Sequence, residues 1–556
     1  MVWVDRIIEQ IQERFAKEIA QRQPLLIRDE KTLSGRVHVG SLRGIVIHGL
    51  IAQVLAEKGI VNSFRFELND FDPMDELPMN LRNRENFLQY MGQPLYTVPS
   101  PVEGLKNYPT VFGTELQSVV SPVGIPIEYY ELTPHYKRGD FNGVIREALD
   151  HAVEIRAIYR EVSGSKKPED WYPLQVICEQ CGKVGTTQVT AWDREKVTYI
   201  CKSDLVTWAK GCGHEGTISP FDGRAKLPWK VEWPAKWKVF GVHIEGAGKD
   251  HGAAGGSRDI GRRISEEIFH YREPFNIPYE FFNIGGKKMS ASKGLGVSAK
   301  EIADLLPPML LKLLMIRKMP NQPIDFDPEG TTIPTLFDEY DRLSDHFFKR
   351  HPEPDADFAR TFRLTQLDPS TETENLWQMR FTTLSFVLQM PHLNLLEEAA
   401  KLKDASNDGR GALRHAEPVT LSGVEGRSMG RPELSPNEKK SLEERAHYVR
   451  QWLQAYAPAE YKYTILSTPP KNLTLDAEQS KALTTVHAAL SEKSLPWEGP
   501  KIHECIHAVK AELEISPQKL FQPLYEIFLG RKSGPQVGWF LSTFPREEVL
   551  KRLSSL

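Results

Sequence analysis

Five cysteines in a chain of 556 residues are too few for a disulfide framework, and four of them fall in the short stretch from Cys178 to Cys212. That clustering points to a metal rather than to cross-links. Long apolar runs are missing as well. No uninterrupted stretch reaches membrane-spanning length, and Met1-Val2-Trp3-Val4-Asp5-Arg6-Ile7-Ile8-Glu9 is an amphipathic helical pattern broken by charges, not a secretory leader. A cytoplasmic protein with no membrane partner is expected. Nor is there an excess of charge of one sign: 70 Lys and Arg against 74 Asp and Glu leave a net charge of -4, so any contact with nucleic acid must come from local basic patches. The length exceeds what one core can organise and predicts three or four domains.

The N-terminal segment reads as a nucleotide-binding β-α-β unit. Pro24-Leu25-Leu26-Ile27-Arg28 is a short apolar strand, Leu42 to Leu55 carries apolar residues at helical spacing, and Ser63 to Asp70 alternates like a second strand. Ligands of open parallel sheets lie beyond the carboxyl ends of the strands, which is where Thr32 to Ser41 and Asp70 to Asp72 fall. Gly35 and Gly40 allow close approach of backbone to phosphate, and the N–H groups of a helix starting near Ser41 favour an anion. His38 is then placed to donate to a phosphate as charge shifts during displacement.

After a long insertion the pattern resumes. Lys238 to Glu245 alternates like a strand, Gly246 to His251 reads as a turn, and Ser257 to Ile268 places isoleucines every fourth residue on one helix face. Tyr279 to Ile284 reads as a buried strand leading into Lys287-Lys288-Met289-Ser290-Ala291-Ser292-Lys293-Gly294. Ser298 and Glu301 form a capping box for the next helix, which Pro307-Pro308 must bend or break. Lys288 and Lys293 supply point charges for a departing polyphosphate, and Ser290 and Ser292 supply hydroxyl donors.

In the inserted stretch, Cys178-Glu179-Gln180-Cys181-Gly182 is a CxxC knuckle, and Gly211-Cys212-Gly213-His214 is a second turn with two more candidate ligands. Cys201 lies between them. Tetrahedral zinc takes four ligands, so five candidates compete for four places. Cys178, Cys181, Cys212 and His214 rank first, with Cys201 as the alternate. A site filled by four protein ligands is structural.

The segments Ser34-Gly35-Arg36-Val37-His38-Val39-Gly40-Ser41 and Lys287 to Gly294 together resemble the two ATP signatures of class I aminoacyl-tRNA synthetases. With Asn69-Asp70-Phe71-Asp72-Pro73-Met74-Asp75-Glu76-Leu77-Pro78, Gly248-Lys249-Asp250-His251 and Ile264 to Phe269, the likeness narrows to the class I lysyl-tRNA synthetases. Four positions depart from the expected patterns: Ser41 stands where many class I enzymes have a second histidine, a substitution the lysine family tolerates, Ala291 where many have a lysine, with Lys293 just after to stand in for it, Glu30 where a small residue is expected beside the lysine pocket, and Leu33 where relatives more often have proline.

The resemblance implies a multidomain α/β fold: a Rossmann-type parallel-sheet catalytic domain split by a zinc-binding insertion, then an all-α C-terminal region. The expected boundaries are 1–95 and 236–300 for the catalytic halves, 96–235 for an inserted lobe that binds the tRNA acceptor end, 301–390 for a helical stem-contact region, and 391–556 for a helical anticodon-binding domain with a flexible 404–436 segment. Helices are read over 377–388 and 443–453, and Lys510, Lys519, Arg531 and Lys532 are either phosphate contacts or solvated charges. The implied activity is ligation of L-lysine to tRNA(Lys) through a lysyl-adenylate, with ATP, Mg²⁺ and Zn²⁺.

ATP is expected on Gly35, His38, Gly40, Ser41, Lys288, Met289, Ser290 and Ser292. Catalysis is assigned to His38, Gly40, Ser41, Lys288, Ser290 and Lys293. Asp70 and Asp250, with Glu30 as a third candidate, are placed by sequence order to meet the substrate's ammonium, which is costly to desolvate unpaired. Thr32, Trp229, His251 and Tyr279 are implied to line the same pocket. A glutamate-charging relative, which would need an arginine-rich pocket, and a non-charging tRNA-binding paralogue are the alternatives. The oligomeric state is left open, with a monomer as the default.

Overall fold

The computed structural model describes residues 2–78, 81, 83–288, 298–390, 392–407, 433–470 and 473–554. Met289, Ser290, Ala291, Ser292, Lys293 and Gly294 of the second signature, the Lys288 side chain and most of the 404–436 segment lie outside the described residues. The chain forms two compact units, residues 1–327 with 342–373 and residues 328–341 with 374–556.

The first unit is organised by a parallel sheet. Strands β1 (Leu25–Thr32), β2 (Asn62–Asn69) and β3 (Glu128–Glu131) lie in that order, with Leu25 opposite Asn62, Thr32 opposite Asn69 and Arg65 opposite Glu128. Beyond β1 the sheet continues through single parallel bridges, Ile27 to Ile244 and Ile244 to Phe275. The helix Gly40–Glu57 connects β1 to β2 and is buried from Leu42 to Leu55, as an apolar run of that length on every face requires. β3 lies within residues 96–235, so that stretch supplies a strand of the same parallel sheet.

The strand expected over Lys238–Glu245 is not formed. Trp229–Phe240 is a helix ending at Gly241, whose φ of +70° suits glycine, and only Ile244 then pairs with the sheet. The tryptophans at 229, 233 and 237 recur every fourth residue and were the helical signal to weigh against the alternation. The expected helix over 257–268 forms as Ser257–Arg263 followed by one wide π turn, Ile264–Ile268. The strand read over 279–284 divides into Pro278–Tyr279, parallel to Ala247–Gly248, and Phe282–Ile284, which pairs with Ile324–Phe326 and Lys287–Lys288. The Ser298–Glu301 capping box is present, its helix stops at Ala303, and Pro308 opens the next.

The inserted stretch contains the helices Tyr108–Val120, Asn142–Asp150 and Ala152–Ser163. It also carries a small antiparallel sheet of Thr187–Trp192, Val197–Cys201 and Glu215–Ile218. Its core residues Tyr136, Phe141 and Ile155 join Ile260 and Phe269 in one apolar cluster.

The second unit is helical. Helices Ala477–Ser491, Gly499–Glu512 and Pro517–Leu529 bury Val486, Ile506, Leu524 and Phe528 with Phe386 and Phe540. The helix read over 443–453 lies inside Pro436–Ala455, whereas that read over 377–388 forms only from Phe381 to Val387. Lys519 pairs with Glu478 and Asp476, and Arg531 donates to the carbonyls of Glu460 and Lys462. No described helix is long and apolar enough to cross a membrane.

Candidate active site

The first signature wraps the N-terminal turn of the helix Gly40–Glu57. Ser41 N–H donates to the His38 carbonyl at 3.0 Å, Tyr108 Oη donates to the Ser34 carbonyl at 3.0 Å, and Arg36 pairs with Glu115. His38 Nε2 lies 3.5 Å from Ser41 Oγ, while its Nδ1 is buried without a hydrogen-bond partner. Burial, helped by the charge of Lys31 and opposed by Asp250, pushes the imidazole down to about 4. At neutral pH His38 is therefore an uncharged donor with one N–H. Its backbone forms an antiparallel bridge with Ser298, and Ala299 N–H donates to the Val37 carbonyl at 2.8 Å. The first signature thus holds the start of the helix that comes four residues after the second one.

The residues assigned to the amino-acid pocket separate into two groups. Trp229 stacks on Trp233 with ring centres 5.3 Å apart and lies 4.9 Å from the His251 ring. The charge of Asp250 raises the proton affinity of both His38 and His251 against their burial, and that of Glu30 does so for His251. Thr32 Oγ1 donates to Asp72 at 2.5 Å. Tyr279 pairs across the backbone with Gly248, and its hydroxyl lies beside Gly44, where a Cβ would come within 2.7 Å of it. Asp70 points elsewhere. Its Oδ1 accepts the N–H groups of Leu132 at 3.1 Å and Thr133 at 2.9 Å, and burial raises its carboxyl to about 6 against those bonds.

Beneath this site runs a buried chain of ions that sequence reading did not find. Arg28 binds Glu30 and Glu67 at 2.6 Å and Glu245 at 2.8 Å. Lys236 binds Glu30 and Glu67 at 2.6 Å and Glu232 at 3.0 Å, and Lys226 joins Glu232 at 2.5 Å to Asp72 at 3.0 Å. Trp233 and Trp237 donate their indole N–H groups to Glu245. Three cations thus face five carboxylates, an excess of two negative charges. Lys236 and Arg28 hold Glu30 well below the usual carboxylate range, and Lys226 lowers Asp72. Glu30 and Asp72 are the members with appreciable side-chain exposure, 16% and 18%. A sequence signal existed: Arg28 and Glu67 interrupt strands of a buried parallel sheet, where an ion must find a partner.

His48 was missed for the same reason. Gly246 N–H donates to its Nε2 at 2.7 Å, so Nδ1 carries the proton toward Asp29 Oδ2 at 3.0 Å. This pair fixes the backbone entering the Gly248-Lys249-Asp250-His251 turn.

The cysteines converge in the inserted stretch. Cys178, Cys181, Cys201 and Cys212 bring their sulfurs within 4.8 Å of one another, with Cys178–Cys212 at 3.6 Å and Cys181–Cys201 at 3.7 Å. These distances are too long for disulfides and match the roughly 3.8 Å edge of a tetrahedron with 2.3 Å metal–sulfur bonds. Cys201, the alternate in the sequence ranking, lies within this cluster. His214 contributes its carbonyl to Cys201 N–H and sets its ring against Tyr199, whereas Cys201 Sγ accepts the Cys212 N–H at 3.4 Å.

Residues 1–368 match the family model described as tRNA synthetases class I (K), and residues 440–556 match that of an anticodon binding domain. The chain is 30% identical over 569 residues to a lysine–tRNA ligase of Methanosarcina barkeri (strain Fusaro), covering 99% of this chain and 96% of that one. It is 31% identical over 565 residues to a lysine–tRNA ligase of Methanocaldococcus jannaschii, covering 100% and 99%. A lysine–tRNA ligase of Thermoplasma volcanium is 30% identical over 524 residues, covering 94% of each. With the model matched over residues 1–368 and relatives matched along nearly their whole length, this chain belongs to the class I (K) family of tRNA synthetases.

Proposed function

We infer that the protein is a lysine–tRNA ligase, which condenses L-lysine with ATP to lysyl-adenylate and passes the lysyl group to tRNA(Lys). The observation that carries the choice of amino acid is the excess of two carboxylates in the buried ion chain, with Glu30 and Asp72 its exposed members. A buried network short of positive charge favours a cationic ligand, and the ammonium of lysine supplies one. A glutamate side chain would instead need an arginine, and Arg28 is already engaged by Glu30, Glu67 and Glu245.

In this reading ATP enters as its Mg²⁺ complex, with its phosphates at the start of the helix Gly40–Glu57. The lysine carboxylate attacks the α-phosphate in line and pyrophosphate leaves. Neutral His38 donates to phosphate oxygen as charge develops, with Ser41 beside it, and Lys288, Ser290 and Lys293 are assigned to the leaving group. Thr32, Trp229, Asp250, His251 and Tyr279 are assigned to the amino acid, the aromatic rings against its aliphatic stem. Cys178, Cys181, Cys201 and Cys212, whose sulfur spacing fits zinc, would hold such an ion, and with four protein ligands its contribution would be to the stability of the inserted lobe. The helical C-terminal region is assigned to the anticodon.

Amino-acid-dependent exchange of pyrophosphate into ATP, run with and without tRNA, tests the assignment. Lysine should exceed glutamate, arginine and ornithine; equal or faster exchange with any of these removes it.

A further inference from the structure

Arg43 lies one turn into the helix Gly40–Glu57 and is 1% exposed. Its Nη1 donates to the carbonyls of Glu280 at 2.8 Å and Phe281 at 3.3 Å, and its Nη2 to those of Met319 at 3.0 Å and Gln322 at 2.6 Å. All four acceptors are main-chain oxygens, and Nε is buried without a partner. Burial lowers the guanidinium to about 10. For stability alone this is a poor arrangement, because a well-packed apolar side chain avoids the cost of desolvating the ion.

The arrangement supplies geometry instead. A guanidinium is a rigid planar fork and holds its acceptors in fixed directions. Glu280 and Phe281 lead directly into the strand Phe282–Ile284, while Met319 and Gln322 lead into Ile324–Phe326, the parallel partner of that strand. Both strands that support the turn to Lys287–Lys288 are therefore fastened to one side chain, on the helix that starts beside His38 and Ser41. Glu280 extends the link, since its carboxylate binds Lys249 Nζ at 2.7 Å in the Gly-Lys-Asp-His turn.

We propose that Arg43 is a positioning residue for amino-acid activation, setting the strand Phe282–Ile284 and the backbone of Lys287–Lys288 at a fixed distance from His38 and Ser41. The proposal rests on the ligase reading. Arg43 touches no substrate in it; it acts through the backbone it holds.

The test uses the full-length protein with Arg43→Lys, which keeps the charge but loses the fork, and Arg43→Gln, which keeps an NH₂ donor; one folded variant suffices. Three quantities are read: kcat and KM of lysine-dependent pyrophosphate exchange, transfer of lysine from preformed lysyl-adenylate to tRNA, and amide hydrogen exchange in peptides covering 278–288. A misplacement of about 1 Å costs on the order of 100-fold in rate, so kcat for activation should fall between about 10-fold and 100-fold. KM for ATP and lysine should change little, transfer should be spared, and amide exchange over 282–288 should quicken. Activation near wild type in a folded but less stable variant, or transfer falling as far as activation, overturns the proposal. If wild-type protein activates no amino acid, the ligase reading fails by itself. Amide exchange then still decides the positioning claim, and unchanged protection over 282–288 overturns it.

Discussion

His38 and Ser298 are joined backbone to backbone, so the histidine of the first signature is held by the residue that caps the helix after the second. A displacement of either is felt by the other.

This linkage bears on catalysis. His38→Ala should lower kcat of lysyl-adenylate formation by about 2–4 kcal/mol of barrier, comparable to loss of an oxyanion-type donor. Lys288→Ala should behave alike in activation, yet spare transfer from preformed adenylate, because pyrophosphate has left by then. Rapid single-turnover kinetics separates the steps. Loss of ATP affinity and stability with unchanged kcat per folded molecule in both variants would show that these residues only shape loops.

Elemental analysis of protein purified without added metal should find about one zinc per chain. Cys201→Ser should lower that content and loosen the inserted lobe, and His214→Ala should leave it intact. Retention of zinc by Cys201→Ser with loss in His214→Ala reverses the ligand assignment.

The parts of this fold that were legible from sequence are those written locally. β1, the helix Gly40–Glu57 and β2 announce themselves by apolar runs of strand and helix length, and the Ser298–Glu301 box and Pro307-Pro308 mark a helix start and a break within a few residues. The edge strand Glu128–Glu131 carries no apolar run, because an edge need not be buried on both faces. Lys238–Glu245 alternates like a strand, but the tryptophan spacing before it prevailed once the helix could bury Trp233 and Trp237. Distances between remote residues have no local signal. The pairing of Lys236 with Glu30 and Glu67, the four carbonyls on Arg43, and the gathering of Cys201 with the other three cysteines all depend on where separate loops meet.

The ion chain makes a stability forecast. Lys236→Met removes one of the two cations that each of Glu30, Glu67 and Glu232 binds and leaves three surplus carboxylates instead of two. Stripping one member from a buried ion pair costs about 3–5 kcal/mol. Chemical denaturation should show a loss of that size, and Glu67→Gln added to it should recover part. A loss no larger than that for an exposed pair, about 1 kcal/mol or less, would mean that the network is not ionised as drawn.

Asp70 supplies the last forecast, because its geometry and its place in the sequence suggest different roles. Its carboxylate accepts two amides at the start of the turn after β3, and burial raises its pKa from 3.8 to about 6. Between those values the folded protein holds a proton that the unfolded chain releases, so this group's contribution to stability is complete below 3.8 and lost as pH rises through 6. Asp70→Asn keeps an oxygen for the amides and cannot ionise. Its stability relative to wild type, followed by melting temperature, should therefore improve as pH is raised from about 4 to about 7. The gain is at most a few kcal/mol, because each tenfold difference in proton affinity between folded and unfolded chain is worth about 1.4 kcal/mol. Lysine KM should stay near wild type in Asp70→Asn and rise in Asp250→Asn, whose charge raises the proton affinity of both His38 and His251. A steep rise in lysine KM for Asp70→Asn, with no change in the pH dependence of stability, would return Asp70 to the substrate pocket.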